Sequence, residues 1–513
     1  MSPMNNKLLV LPEPELLFDY DQTIDDPRDG LTLFGPRRST IYGINYGVIG
    51  TPAGIERFSR WIKKANEFTA VERDSQRLLW IPFPGFESIF RIPFSDTSIK
   101  TLSIDENILK EILRDGDTYQ RVFNTVNLYE QQIVSFYQES DQQLNLWYVI
   151  SPESVYRECR PKSEVEVPIR KVTKKAINVR KGIAQQSRSG QGFIFEDMEQ
   201  DYFAYDFDAD FRRQLKARLI MQNVRDPVQI FRESTLTPDD FLNRAGYRER
   251  DVEPESQVAW NVFTTSYYKA GGKPWKLASL RDGVCYLGMV YKQLENSSDD
   301  RSACCAAQMF LDSGDGVIFK GAIGPWKSLE RDEYHLNKNA AKEIISKAIS
   351  TYQESSKDHQ LPKQIFIHGR TFFNDEEWTG FSDVPAGVSV VGIRIASGDL
   401  KLYRPGNFPV LRGTAYIETE VAGYLWTTGF VPKLRTSPHL GVPTSVKVDI
   451  CRGSEDIKIV LEDILALTKL NYNACHYADG YPITLQFADK IGDILTAGPI
   501  EKDQAPKTFK YYI

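Results

Sequence analysis

Apolar positions along this chain follow two periods, and the switches between them outline its elements. The run IYGINYGVIG, from Ile41, reads as a buried strand, and the turn TPAG leads it into ERFSRWIKKANE, whose apolar residues recur at helical spacing. Helical spacing returns across IDENILKEILRDGDTYQRVFNTVNLYEQQIVSFYQES, and LNLWYVISPESVYREC gives a strand, a proline-containing turn and a short helix. In the second half, GVCYLGMVYKQL and SACCAAQMFLDSGDGVIFKG read as strands, with Asp315-Gly316 as a hairpin turn. Ile344, Ile345, Ala348, Ile349 and Tyr352 then form one helical stripe, and QIFIHGR is again a buried strand. Strands at VSVVGIRI and GTAYIETEVAGYLWTTG precede the helix SEDIKIVLEDILALTKLN and a last helix beginning near Pro482. This alternation predicts an α/β protein with a Rossmann-like first half and a second half of three strands, helix and strand.

Composition narrows the chemistry. The 513 residues suffice for two to four domains, and 41% hydrophobic with 12% aromatic residues supports large cores. No run of eighteen apolar residues occurs and the start MSPMNNKLLVLPEPELL has no leader pattern, so a cytoplasmic protein without membrane contact is expected. The six cysteines and five histidines show no metal spacing, which argues against a zinc enzyme. No strand end carries GxGxxG, so NAD binding by this chain is rejected. The net charge of -6 argues against indiscriminate coating of nucleic acid, although nine Lys or Arg gather between Arg160 and Arg188. That segment, 160 to 190, reads as a basic insertion that either contacts phosphates or is a solvated linker.

The most informative stretch is FRRQLKARL, from Phe211, with DPVQIFRESTL, from Asp226, and YYKAGGKPWKL, from Tyr267. Arg212 and Lys216 stand four apart without Gly or Pro between them, so both cations share one helical face. Lys269 lies two residues before a Gly-Gly turn, and Gln229 supplies an amide able to donate to a phosphate and to accept a metal. Converging, the four would form a socket for a terminal phosphate; apart, they are solvated surface charges. Tyr267 and Tyr268 offer ring faces that stack on a base or simply pack.

The order Arg, Lys at i+4, Gln, then Lys before Gly-Gly resembles the guide-end pocket in the MID domain of Argonaute proteins. The resemblance extends from EPELLFDYDQTIDDPRDGLTLFGP to the final FKYYI and includes GGKPWKL, VCYLGMVYK, ACCAAQMFLDSGDG, IFIHGRTFFNDEEW and ILALTKLNYNACHYADGYPITLQFADKIG. On these motifs the chain resembles a short prokaryotic Argonaute of the TIR-APAZ-associated (SPARTA-type) subgroup. The resemblance implies a MID domain at 1–265, with the basic insertion, and a ribonuclease H-like PIWI domain at 266–513, without N or PAZ domains. It implies a 5′-phosphorylated guide RNA bound by Arg212, Lys216, Gln229 and Lys269, and Mg²⁺ held at the guide end by Gln229 and the terminal carboxylate of Ile513.

A PIWI nuclease holds its metals with four side chains, usually Asp, Glu, Asp and Asp or His, because two ions must bind both the attacking water and the leaving oxygen. By the same resemblance, Val290 stands at the first aspartate's place and Gly369 at the second, and only Asp489 keeps a carboxylate. The glutamate has no assigned place; Glu330, Glu333 and Asp375-Glu376-Glu377 are exposed-looking candidates, and His368 next to Gly369 is read as a packing residue. The degenerate tetrad implies no slicing. The partners implied are a complementary single-stranded DNA target and a TIR-APAZ effector, forming a heterodimer that oligomerises on activation and hydrolyses NAD⁺ in immunity. The rival readings are a guide-directed endonuclease using Asp489, a sensor for a sirtuin-like or nuclease APAZ effector, and a scaffold without a guide.

Overall fold

The computed structural model describes residues 7–513 except 39, 72–77, 166–167, 170–171, 189–201, 280, 294–301, 311–315, 326–332, 357, 407, 439–440 and 501–507. Two large sheets organise them, beside a small three-stranded one. Strands are numbered β1 Lys7–Val10, β2 Tyr46–Gly50, β3 Lys100–Ser103, β4 Leu146–Ser151, β5 Val228–Arg232, β6 Val284–Gln293, β7 Ser302–Phe310, β8 Gly316–Pro325, β9 Gln364–Gly369, β10 Ser389–Ser397, β11 Thr414–Thr419, β12 Ala422–Leu425 and β13 Val446–Arg452. The first sheet has the order β3-β2-β4-β5 and is parallel throughout. Every residue of β2 and of β4 is buried, as expected of parallel strands covered on both faces.

The second sheet has nine strands in the order β1-β11-β12-β13-β10-β9-β6-β7-β8. β9 runs parallel to both β6 and β10, and the other neighbours are antiparallel. β7 and β8 form the expected hairpin, and the expected turn at Asp315-Gly316 falls partly outside the described residues. β1 pairs with β11, Lys7 opposite Ile417, so the start of the chain closes the sheet of the second half, across the boundary expected at residue 265.

The helices that matter for the site are α1 Thr118–Glu139, α2 Lys174–Arg188, α3 Phe211–Met221, α4 Glu255–Lys269 and α5 Ile483–Leu495. Asp117 caps α1 through Tyr119 N and Gln120 N, and its other oxygen accepts from Tyr205 and from Arg180 of α2 at 3.0 Å. The basic segment 160 to 190 thus contains a helix anchored by an ion pair. One hydrophobic core spans both sheets: Tyr46, Trp61, Phe231 and Phe263 of the first half share it with Val448, Leu465, Phe487, Phe509 and Ile513 of the second. Side chains buried this completely each contribute about 1.5–3 kcal/mol, so the two halves are held as one unit. No helix among the described residues is long and apolar enough to cross a membrane.

Candidate nucleic-acid interface

α3 begins where the Asp210 side chain accepts from Arg212 N and Arg213 N, at 3.0 and 3.1 Å. Phe211, Leu215 and Leu219 anchor the helix in one core while Ala217 and Ile220 enter the other. That wedge leaves Arg212 exposed and sets Lys216 against Tyr512 and Ile513, to whose main-chain oxygens its ammonium donates at 3.1 and 2.8 Å.

β5 alternates as a strand must: Val228 and Ile230 face one core, Gln229 and Phe231 the other side. Lys269 is the last residue of α4, where the helix dipole favours a cation. Its ammonium donates to Val228 O at 2.8 Å and to Gln229 Oε1 at 2.5 Å. The Gly-Gly turn explains this placement. Gly271 has φ +101, which lets the chain reverse directly after the lysine, and a Cβ on Gly272 would lie 2.3 Å from the Tyr267 ring.

The sequence-predicted quartet therefore gathers in one place, joined by Lys490 of α5, which sequence reasoning missed. Burial, then the charges of Arg212 and Lys490, push the Lys216 ammonium down to about 7. Burial, then Lys216, Arg212 and Lys490, push Lys269 well below the ordinary lysine range. Lys490 is itself lowered by burial first, with Asp479 opposing and Arg212 adding. Four like charges around partly buried positions are unfavourable to one another, and a dianion placed among them would relieve that repulsion.

Beside the quartet a cavity of about 340 Å³ opens at the carboxyl ends of β4 and β5, where open parallel sheets bind ligands. Arg212 and Gln229 line it together with Tyr156, Arg160, Arg232 and Thr235. Arg160 and Arg232 lie over the Tyr156 ring, at 4.5 and 3.4 Å from its centroid. Tyr267 is no base platform: it is buried and stacks on Phe90 at 4.8 Å, while Tyr268 packs against Tyr472 at 4.8 Å. Arg218 and Arg232 are ion-paired to Glu130 and Glu153.

At the second candidate site, Val290 is buried in the core, 4% exposed, and Gly369 ends β9. His368 lies opposite Gly288 of β6, its Nδ1 2.9 Å from Thr484 Oγ1 and its Nε2 without a hydrogen-bond partner. Burial pushes its pKa down to about 3, so the ring is neutral. Asp489 is ion-paired to Lys292 at 2.8 Å, with Arg370 at 3.7 Å. Of the glutamate candidates, Glu330 falls outside the described residues and Glu333 lies 3.4 Å from His335. Glu377 is not exposed: it is 2% accessible, closes a capping box with Asn374 and bonds His335 and Leu336 N. Among the described residues no three His, Cys, Asp or Glu side chains cluster as a metal site.

No family model matches the sequence, and no curated protein matches it. Solved structures do. Clostridium butyricum Argonaute bound to a guide DNA (5′ deoxycytidine) and a 19-mer target DNA superposes with a TM-score of 0.63 at 15% identity, over 99% of this chain and 55% of that one. The fold is that of an Argonaute. Drosophila Piwi aligns at TM-score 0.57 and 11% identity over 98% of this chain and 56% of its own. A. aeolicus Argonaute gives 0.55 and 15% over 99% and 56%. The chain thus spans about half the length of these neighbours and has the MID–PIWI α/β fold from end to end.

Proposed function

We propose that this chain is a guide-RNA-binding, non-slicing Argonaute that recognises complementary single-stranded DNA of invaders and activates the NADase of an associated TIR-APAZ protein in the cytoplasm of a prokaryote. The observation that carries the guide-binding half is the convergence of Arg212, Lys216, Gln229 and Lys269, with Lys490, beside a nucleotide-sized cavity. The terminal phosphate of a guide exchanges with the oxygens that now hold the two lysines, and its first nucleoside lies in the cavity against Arg212 and Tyr156. Charge-assisted contacts of this kind are the strong ones.

Mg²⁺ suits the same place. Gln229 Oε1 and Ile513 O are hard donors, the class that this ion takes together with phosphate oxygens. There the ion would neutralise phosphate charge, while the chain's own lysines set where that phosphate sits.

Support for a non-slicing role comes from the second site. Val290 belongs to the core, and the one tetrad carboxylate that the resemblance leaves, Asp489, is already paired with the Lys292 ammonium. Activity then belongs to the partner, whose TIR-APAZ identity rests on the motifs GGKPWKL, VCYLGMVYK and IFIHGRTFFNDEEW. The test is to purify the chain with the protein encoded beside it, extract bound nucleic acid and follow NAD⁺ on adding complementary single-stranded DNA. Short 5′-phosphorylated RNA with target-dependent NAD⁺ loss supports the proposal; bound RNA without NAD⁺ loss removes the TIR half of it.

A further inference from the structure

At one corner of the small three-stranded sheet the chain holds a tyrosine out into solvent. Strands Leu16–Leu17 and Thr23–Ile24 pair antiparallel, and between them Gln22 N donates to Asp19 O at 3.2 Å. Tyr20 and Asp21, the two residues inside that turn, both have φ +54, the pattern of a type I′ turn. Asn, Asp and Gly adopt it readily, whereas a tyrosine does so against its own Cβ. Tyr20 is 64% exposed, so burial of its ring does not account for the choice. Two guanidiniums flank that ring: Arg38 and Arg91 each lie 5.9 Å from its centroid. Asp19 holds both, one on each carboxylate oxygen, at 3.4 and 3.8 Å. The neighbouring chain makes room for this arrangement. A Cβ on Gly35 would lie 2.7 Å from Arg91 Nε, and one on Gly30 would lie 2.1 Å from the Phe18 ring, which seats helix Pro27–Phe34 against the turn. Arg91 itself has φ +58, so three of the seven non-glycine residues with left-handed backbone among the described residues meet at this one place.

We propose that Tyr20, Arg38 and Arg91 form a protein-docking tip that the associated effector protein covers, its carboxylates taking the two guanidiniums and an apolar recess taking the ring. This rests on the reading that the chain works with such a partner. Tyrosine and arginine are the residue types that most often carry the binding energy of a protein interface. A tyrosine has few rotors to fix on binding, and here the turn has already fixed its backbone. The Arg38 side chain is 83% exposed and its 3.4 Å contact to Asp19 is screened by water, so that pair is worth little and the planar fork is open to a carboxylate from outside. A nucleic-acid strand fits less well, because the carboxylates of Asp19 and Asp21 bracket the tyrosine in the chain and oppose a phosphate backbone.

The experiment titrates the full chain with the protein encoded beside it and compares the unmutated chain with Tyr20→Asn, Tyr20→Phe and Arg38→Gln at low and high salt. Thermal midpoints and affinities for 5′-phosphorylated RNA and for complementary DNA are followed in parallel. Asparagine suits the left-handed turn, so Tyr20→Asn should keep or raise the midpoint while weakening the effector about tenfold. Tyr20→Phe keeps the ring and should stay within about twofold. Arg38→Gln should weaken the effector about threefold at low salt, a deficit that fades as salt rises. Unchanged effector affinity in both Tyr20→Asn and Arg38→Gln overturns the docking tip and leaves the partnership standing. A loss confined to RNA or DNA affinity also overturns it, because the tip would then belong to a nucleic acid. If the unmutated chain and the neighbouring protein form no complex, the partner half of the proposed function falls and this inference with it.

Discussion

Lys269 and Gln229 meet in the interior of the fold, the lysine ammonium donating to the amide oxygen at 2.5 Å. The contact joins the last residue of a helix to a strand 40 positions earlier, and the neighbouring bond to Val228 O at 2.8 Å fixes the same ammonium from a second side. Burial and the nearby cations push this lysine well below its ordinary range, and an anion beside it would favour the charged form.

A pH dependence follows. The phosphate binds the ammonium form, and Lys216 in the free protein titrates at about 7. Below that pH the proton is already present; above it, binding must take one up, and affinity falls by as much as about tenfold per pH unit for each proton. The phosphate's own second ionisation, near about 6, opposes binding on the acid side. Titrating the affinity of 5′-phosphorylated RNA from pH 5 to 9 should give an optimum between these values, and Lys216→Ala should flatten the alkaline limb.

Stability near the amino terminus depends on a buried charge group. Glu13 accepts from Lys469 at 2.7 Å and from Arg412 Nε at 3.0 and 3.1 Å, and the side chains of both cations are almost wholly buried, 0% and 1% exposed. Removing the carboxylate leaves two cations without their counter-ion, a change of about 3–5 kcal/mol. Glu13→Ala should lower the denaturation midpoint accordingly, whereas Lys433→Ala, which breaks partly exposed pairs to Asp25 and Asp29, should have a much smaller effect.

Acid should act through His368. Its folded pKa, lowered to about 3, lies below the ordinary value of 6.5, so the unfolded chain binds the extra proton first. The stability it contributes is complete above pH 6.5 and is lost as pH falls from there toward 3. Urea unfolding between pH 7 and 4 should show a steeper loss in the unmutated chain than in His368→Gln.

The element order was largely legible because strand and helix periods are local properties. So was the quartet: the four-residue spacing of Arg212 and Lys216 and the position of Lys269 before Gly271 are short-range signals with a geometric meaning. Lys490 was not legible, because it reaches the same place from a helix more than 200 residues later and nothing in QFADKIG separates it from a surface lysine. The same holds for β1, whose partner β11 is some 400 residues away. Tyr267 stayed open between two readings for the opposite reason: its ring suits a base as well as a core, and only the stack on Phe90 decides. Glu377 looked exposed in an acidic run, but its capping box draws it inward.

The second site gives a prediction about chemistry. With Val290 in the core and Lys292 on Asp489, guide and fully matched DNA incubated with Mg²⁺ or Mn²⁺ should yield no cut opposite the middle of the guide. A specific, metal-dependent product on a denaturing gel would contradict the non-slicing assignment.

The most direct measurement compares the affinity of one RNA with and without its 5′-phosphate for the unmutated protein, Lys216→Ala and Lys269→Ala. The account predicts that the phosphate strengthens binding to the unmutated protein, and that each substitution removes about 1.5–3 kcal/mol of that gain. Equal affinity for the two RNAs, or variants as sensitive to the phosphate as the unmutated chain, would contradict the claim that these lysines hold the end of a guide.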